Sequence, residues 1–75
     1  MPKLPQVTST QLISTLRKLG FQIVSQKGSH IKMRDQTGKT AIIPHHRGTI
    51  KKGTLKKGIL NPLGISVNEF IRMLK

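Results

Sequence analysis

Fourteen Lys and Arg against two acids and three His, in 75 residues, give a formal charge of +12 and a pI near 11.6. A chain of this length supports one domain, 1–75, and folding buries only roughly 60–65% of the surface the unfolded form exposes, so its own stability is modest. The absence of cysteine excludes disulfides and thiolate metal sites, and with Asp35 and Glu69 as the sole acidic side chains a magnesium or calcium site is disfavoured.

The start, MPKLPQV, carries two prolines and reads as an extended lead-in over 1–7. It lacks the apolar core of a signal peptide, and no stretch approaches the roughly 20 apolar residues a bilayer demands. The expectation is a soluble, cytoplasmic protein. Thr8-x-x-Gln11 then forms a capping box, and Leu12, Ile13, Leu16 and Leu19 follow at helical spacing. Gly20 stands where a left-handed stop is wanted, which predicts a helix over 9–19.

Phe21 to Ser25 is a short β-prone run, and Lys27-Gly28 turns the chain back. From His30 to Arg34 the pattern alternates, with Ile31 and Met33 on one face and His30, Lys32 and Arg34 on the other. A period of two means a half-buried strand. Asp35-Gln36-Thr37-Gly38 reads as a hairpin loop, and Lys39 to Ile43 as a third strand ended by Pro44. Together these make an antiparallel meander.

GTIKKGTLKKG, from Gly48, echoes itself over five residues, too short for a repeat architecture. Its local meaning is a short helix capped by Thr54, carrying Leu55, Ile59 and Leu60 inward, weakened by Gly58 and ended by Pro62. Ser66-x-x-Glu69 is a second capping box, with Ile65 placed to staple onto Phe70. Val67, Phe70, Ile71 and Leu74 then form one apolar stripe. The order α-β-β-β-α-α, with one apolar face per element, predicts an α+β fold: a three-stranded antiparallel sheet with all helices on one face. The other face stays open and displays His30, Lys32 and Arg34.

Such basicity points to nucleic acid, an anionic membrane surface or an acidic protein partner. With Phe21 and Phe70 as the sole aromatics, stacking cannot be the main mode of binding, so phosphate contacts dominate any nucleic-acid affinity. The basic residues are spread over strands and loops instead of lining one amphipathic helix, which disfavours a membrane-surface role.

Leu19-Gly20-Phe21, Lys27-Gly28-Ser29-His30, Pro44-His45-His46 and Gly53-Thr54-Leu55, followed by Ile59-Leu60 and Gly64-Ile65-Ser66, occur in one order within one small domain. In this the chain resembles the HicA toxin family, over roughly residues 8–74. The resemblance implies a fold like a double-stranded-RNA-binding domain and ribosome-independent cleavage of mRNA. It further implies neutralisation by a HicB-type antitoxin, and it sets the functional histidine at His30. Gly58 and Asn61-Pro62 depart from the family's second helix.

The chemistry such a site needs is small. RNA carries its own nucleophile, the 2′-hydroxyl, so a ribonuclease needs a group that moves a proton and cations that hold the phosphate. Histidine, titrating near ~6.5, serves as acid or base at cellular pH. His30 follows Gly28-Ser29, whose small side chains let a phosphate approach the backbone. Lys27, Lys32 and Arg34 supply cations, and Lys51, Lys52 and Lys56 cluster at the predicted helix start as further RNA-backbone contacts. His46 matches the family's Pro-x-His and is the candidate second titrating group. His45 and His46 are adjacent and point to opposite sides of an extended chain, so they cannot chelate one metal as helical i, i+4 histidines do. No metal and no cofactor is expected. The leading reading is a metal-independent endoribonuclease toxin that cleaves mRNA, and so inhibits translation, with His30 as catalytic residue; the alternative is a basic RNA- or DNA-binding module without chemistry.

Overall fold

The computed structural model describes residues 4–45 and 47–74. Helix α1 (Ser9–Lys18) starts at the predicted box: the Thr8 hydroxyl accepts from the Gln11 amide at 3.2 Å, and the Gln11 side chain accepts from the Thr8 amide at 2.9 Å. It stops through Gly20 at φ 99°, where the Phe21 amide reaches the Leu16 carbonyl at 2.9 Å and the Gly20 amide the Arg17 carbonyl at 3.1 Å. This is a Schellman closure, open to glycine because only it enters the left-handed region freely. Leu12 and Leu16 are fully buried, and Ile13 and Leu19 pack partly against the same core.

Strands β1 (Gln22–Lys27), β2 (His30–Arg34) and β3 (Thr40–Pro44) form an antiparallel sheet in the order β1-β2-β3. β1 runs further than its apolar segment suggested, through the polar Gln26 and Lys27, which pair with Ile31 and His30. Its register slips between Ile23 and Ser25, a bulge at Val24. Asp35 organises the β2–β3 loop by accepting from the Thr37 hydroxyl at 2.7 Å and from the Thr37 and Lys39 amides at 2.9 Å.

The sheet has the two faces its alternation predicts. Ile31, Met33, Ala41 and Ile43 are buried with Val7, Leu12, Leu16, Phe21 and Ile50 in one core, whereas His30, Arg34, Thr40 and Ile42 are exposed. The lead-in is fastened to this core: Val7 is buried, and its carbonyl accepts from the Ile50 amide at 2.8 Å.

The second helical stretch departs from expectation. The chain is already helical at Gly53 (φ −62°, ψ −43°), no side chain caps the segment, and Thr54 lies inside it. Thr54–Leu60 is a π-helix, which buries Leu55, Ile59 and Leu60 and leaves Lys56 and Lys57 outside. Pro62 does not end the helix. The Asn61 amide bonds back to the Lys56 carbonyl, five residues earlier, and a single α-turn, α2 (Asn61–Leu63), follows. Pro62 therefore falls early in a new turn, where a missing N–H costs little, and Gly64 at φ 72° makes the stop. Helix α3 (Val67–Leu74) packs against α1 with Phe70 fully buried, and the Ser66 hydroxyl accepts from the Glu69 amide at 3.1 Å. Ile65 and Phe70 share the core, as the staple predicted. The architecture is α+β in the expected order, consistent with a double-stranded-RNA-binding-domain-like arrangement.

Candidate nucleic-acid interface on the open sheet face

Backbone pairing sets the open face out in three rows. Lys27, His30 and Pro44 are neighbours in the first; Ser25, Lys32 and Ile42 in the second; Gln22, Arg34 and Thr40 in the third. The central strand puts His30, Lys32 and Arg34 at alternate positions, about 7 Å apart at a strand rise of about 3.4 Å per residue. No acid occupies any of the three rows. The first acid beyond them, Asp35, is committed to its loop, and hydrogen bonding from the Thr37 hydroxyl, then from the Lys39 and Thr37 amides, holds its carboxyl below the usual 3.8. The face thus presents cations without internal neutralisation, as a phosphate-binding surface requires.

His30 is exposed and is the first residue of β2. Gly28 before it adopts φ 59°, so the tight turn uses backbone that side-chain-bearing residues rarely take. The Ser29 carbonyl accepts from the His45 amide at 2.6 Å, which ties the turn to the end of β3. Pro44, paired with His30, is itself held by the Ser9 hydroxyl, which donates to its carbonyl at 2.7 Å. His30 therefore stands on backbone fixed from three elements. Lys32 is half-buried and Arg34 exposed, and the Arg34 Nε donates to the Thr40 hydroxyl at 3.4 Å.

Lys27, Gly28, Ser29, His30, Lys32 and Arg34 are thus gathered on one hairpin. Lys51, Lys52 and Lys56 are not part of it. All three are exposed: Lys51 directly precedes the helical stretch after β3 and Lys52 and Lys56 lie in it, and the buried residues of that stretch join the core behind the sheet. No side chain caps the start of this stretch, so no capping hydroxyl competes for its first amides. His46 lies outside the described residues. Sequence reasoning passed over Ser25, Gln22, Thr40 and Ile42, which share the face. The alternation Thr40-Ala41-Ile42-Ile43-Pro44 carried the signal, half hidden because Ile42 looks like core. Among the described residues no three His, Asp or Glu side chains come together as a metal-ligating group, and no helix is long and apolar enough to cross a membrane.

No curated protein matches the chain. Residues 9–65 match the sequence model of a family described as the HicA toxin of bacterial toxin–antitoxin systems.

Proposed function

The chain belongs to the HicA toxin family and is the toxin of a toxin–antitoxin pair, and on that premise we propose that it is a metal-independent endoribonuclease acting on single-stranded mRNA in the cytoplasm. The observation that carries this reading is the position of His30: exposed, at the head of β2, paired with Lys27 and one strand repeat from Lys32. Residues 1–75 act as one toxin domain.

In the reaction, His30 accepts the proton of the 2′-hydroxyl as its oxygen attacks the adjacent phosphorus. The bond to the 5′-oxygen of the next nucleotide breaks, and that oxygen takes up a proton from water, from Lys27 or from His46. The products are a 2′,3′-cyclic phosphate and a free 5′-hydroxyl, so atoms and charge balance without an oxidant or a metal. Lys27 and Lys32 offset the charge growing on the phosphoryl oxygens. Arg34 holds a neighbouring phosphate, and the small Gly28-Ser29 turn gives the backbone room to approach. Lys51, Lys52 and Lys56 hold more distant phosphates of a longer RNA. With a single base on the sheet face, turnover is slow compared with enzymes that pair a base with a dedicated acid. The antitoxin is a HicB-type protein that covers His30.

The test uses purified protein and a single-stranded transcript, with and without EDTA, for the unaltered chain and for His30→Ala. Cleavage that survives chelation and disappears in His30→Ala, with RNA binding retained, is expected. Binding with no cleavage by the unaltered chain would make it a plain RNA-binding module, and abolition by EDTA with rescue by magnesium would end the single-histidine mechanism.

A further inference from the structure

Three large apolar side chains stand exposed among the described residues: Ile23 at 39%, Val24 at 49% and Ile42 at 49%. Ile23 pairs with Met33 on the helix side of the sheet, and Val24 is the bulge residue of the edge strand. Ile42 is different. It lies on the open face beside Lys32, between Thr40 and Pro44 on its own strand. Both aromatic side chains of the protein, Phe21 and Phe70, are buried, at 4% and 0% exposure, so neither reaches a ligand on this face.

We propose that Ile42 is the base-contacting residue of the RNA face, an apolar platform for one nucleobase of the strand whose phosphate Lys32 holds. The inference rests on the reading that this face binds single-stranded RNA, and it adds where the base lies. A nucleotide joins an anion to a flat, largely apolar ring one sugar away. Lys32 and Ile42 offer a cation and an apolar surface on adjacent strands, about 4.8 Å apart in the pairing direction. Pro44 continues the apolar strip toward His30, Thr40 precedes Ile42 on the same face of β3, and Ser25 and Gln22 lie on β1 across the central strand. The phosphate trail therefore follows β2, and the bases lean over β3. An apolar side chain in open water gains nothing from exposure, whereas a base laid on it removes area from both partners. Because an aliphatic surface grips a base less firmly than an aromatic ring, the contribution is at the low end of base stacking, about three- to tenfold in affinity.

The experiment measures binding of the full chain to a short oligouridine made uncleavable by 2′-fluoro substitution, and to the same oligomer with abasic sugars. Ile42→Thr keeps the β-branched shape a strand prefers and removes the apolar surface, and its melting temperature, compared with the unaltered chain, checks the fold. Ile42→Thr should weaken the intact oligomer about three- to tenfold, leave the salt dependence unchanged, and bind the abasic oligomer as the unaltered chain does. Ile42→Phe should tighten the intact oligomer alone. An unchanged affinity, an equal loss on both oligomers, or a loss seen only toward an acidic protein would overturn the platform while leaving the ribonuclease reading in place. If the unaltered chain bound neither oligomer, the RNA reading would fall and take the platform with it.

Discussion

The amide of His45 donates to the carbonyl of Ser29 at 2.6 Å, so the chain leaving β3 is stitched to the turn that delivers His30. The bond uses His45 backbone and not its imidazole. His45→Ala should therefore cleave RNA like the unaltered chain. His45→Pro removes the N–H, and Pro44 is already extended, as a residue before proline must be. We expect kcat to fall on the order of tenfold to a hundredfold in His45→Pro, with KM and the circular dichroism spectrum little changed, because the loss is one of positioning. Equal rates for the two variants would show that the stitch does nothing for catalysis.

Asp35 should make the β2–β3 loop sensitive to acid. The Thr37 hydroxyl and the Thr37 and Lys39 amides hold its folded carboxyl below the unfolded value of 3.8. A depressed carboxyl contributes stability that is whole above the unfolded value and is lost as pH falls through the folded one. The melting temperatures of the unaltered chain and of Asp35→Asn should therefore differ at neutral pH and converge as pH falls below 3.8 and through the lower, folded value. A gap that stayed constant down to acid would mean that the loop does not depend on the charge.

Gly58 gives a stability prediction of the opposite sign. Its φ lies outside the left-handed region, and a β-carbon built there meets no closer side-chain atom than the Thr54 Cγ2, at 3.8 Å, an ordinary contact. Gly58→Ala should stabilise the protein by about 0.5–1 kcal/mol, chiefly by restricting the unfolded chain. A thermal melt raised by several degrees is expected. A lowered melt would mean that the π-helical turn requires glycine.

The parts legible in the sequence were those whose signal is local. Thr8 and Gln11 write the start of α1, Gly20 its end, and His30 to Arg34 show both faces of β2 by alternation. The second helix was misread because its turn is set by packing: Leu55, Ile59 and Leu60 must all reach the core, and their spacings of four and five residues suit a wide turn. Once the turn widens, Thr54 is internal and Pro62 begins a fresh turn. The tail of β1 was invisible for another reason, since Gln26 and Lys27 join the sheet through backbone groups that every residue carries. The same holds for the His45–Ser29 bond. Of the candidate site, the hairpin residues were legible by their motif, whereas the neighbours that complete the face came from register, which exists only after the strands pair.

The antitoxin should act by occlusion of this same face. A +12 protein has little acid of its own to balance the cations around His30, and a small core leaves stability to be gained from a bound partner. Covering Lys32 and Arg34 removes phosphate binding and access to His30 together, so RNA and antitoxin should compete. The partner's footprint should be acidic, with association that is fast and slows as salt is raised. Lys32→Ala and Arg34→Ala should each weaken both ligands, and each should lower the slope of log affinity against log salt for RNA by roughly 0.7. His30→Ala should lose cleavage and keep the antitoxin, because an imidazole at the rim of a charged footprint adds little to affinity. Competition binding of labelled RNA and antitoxin to the same preparation decides it: a ternary complex that still cleaves RNA at the free rate would rule occlusion out.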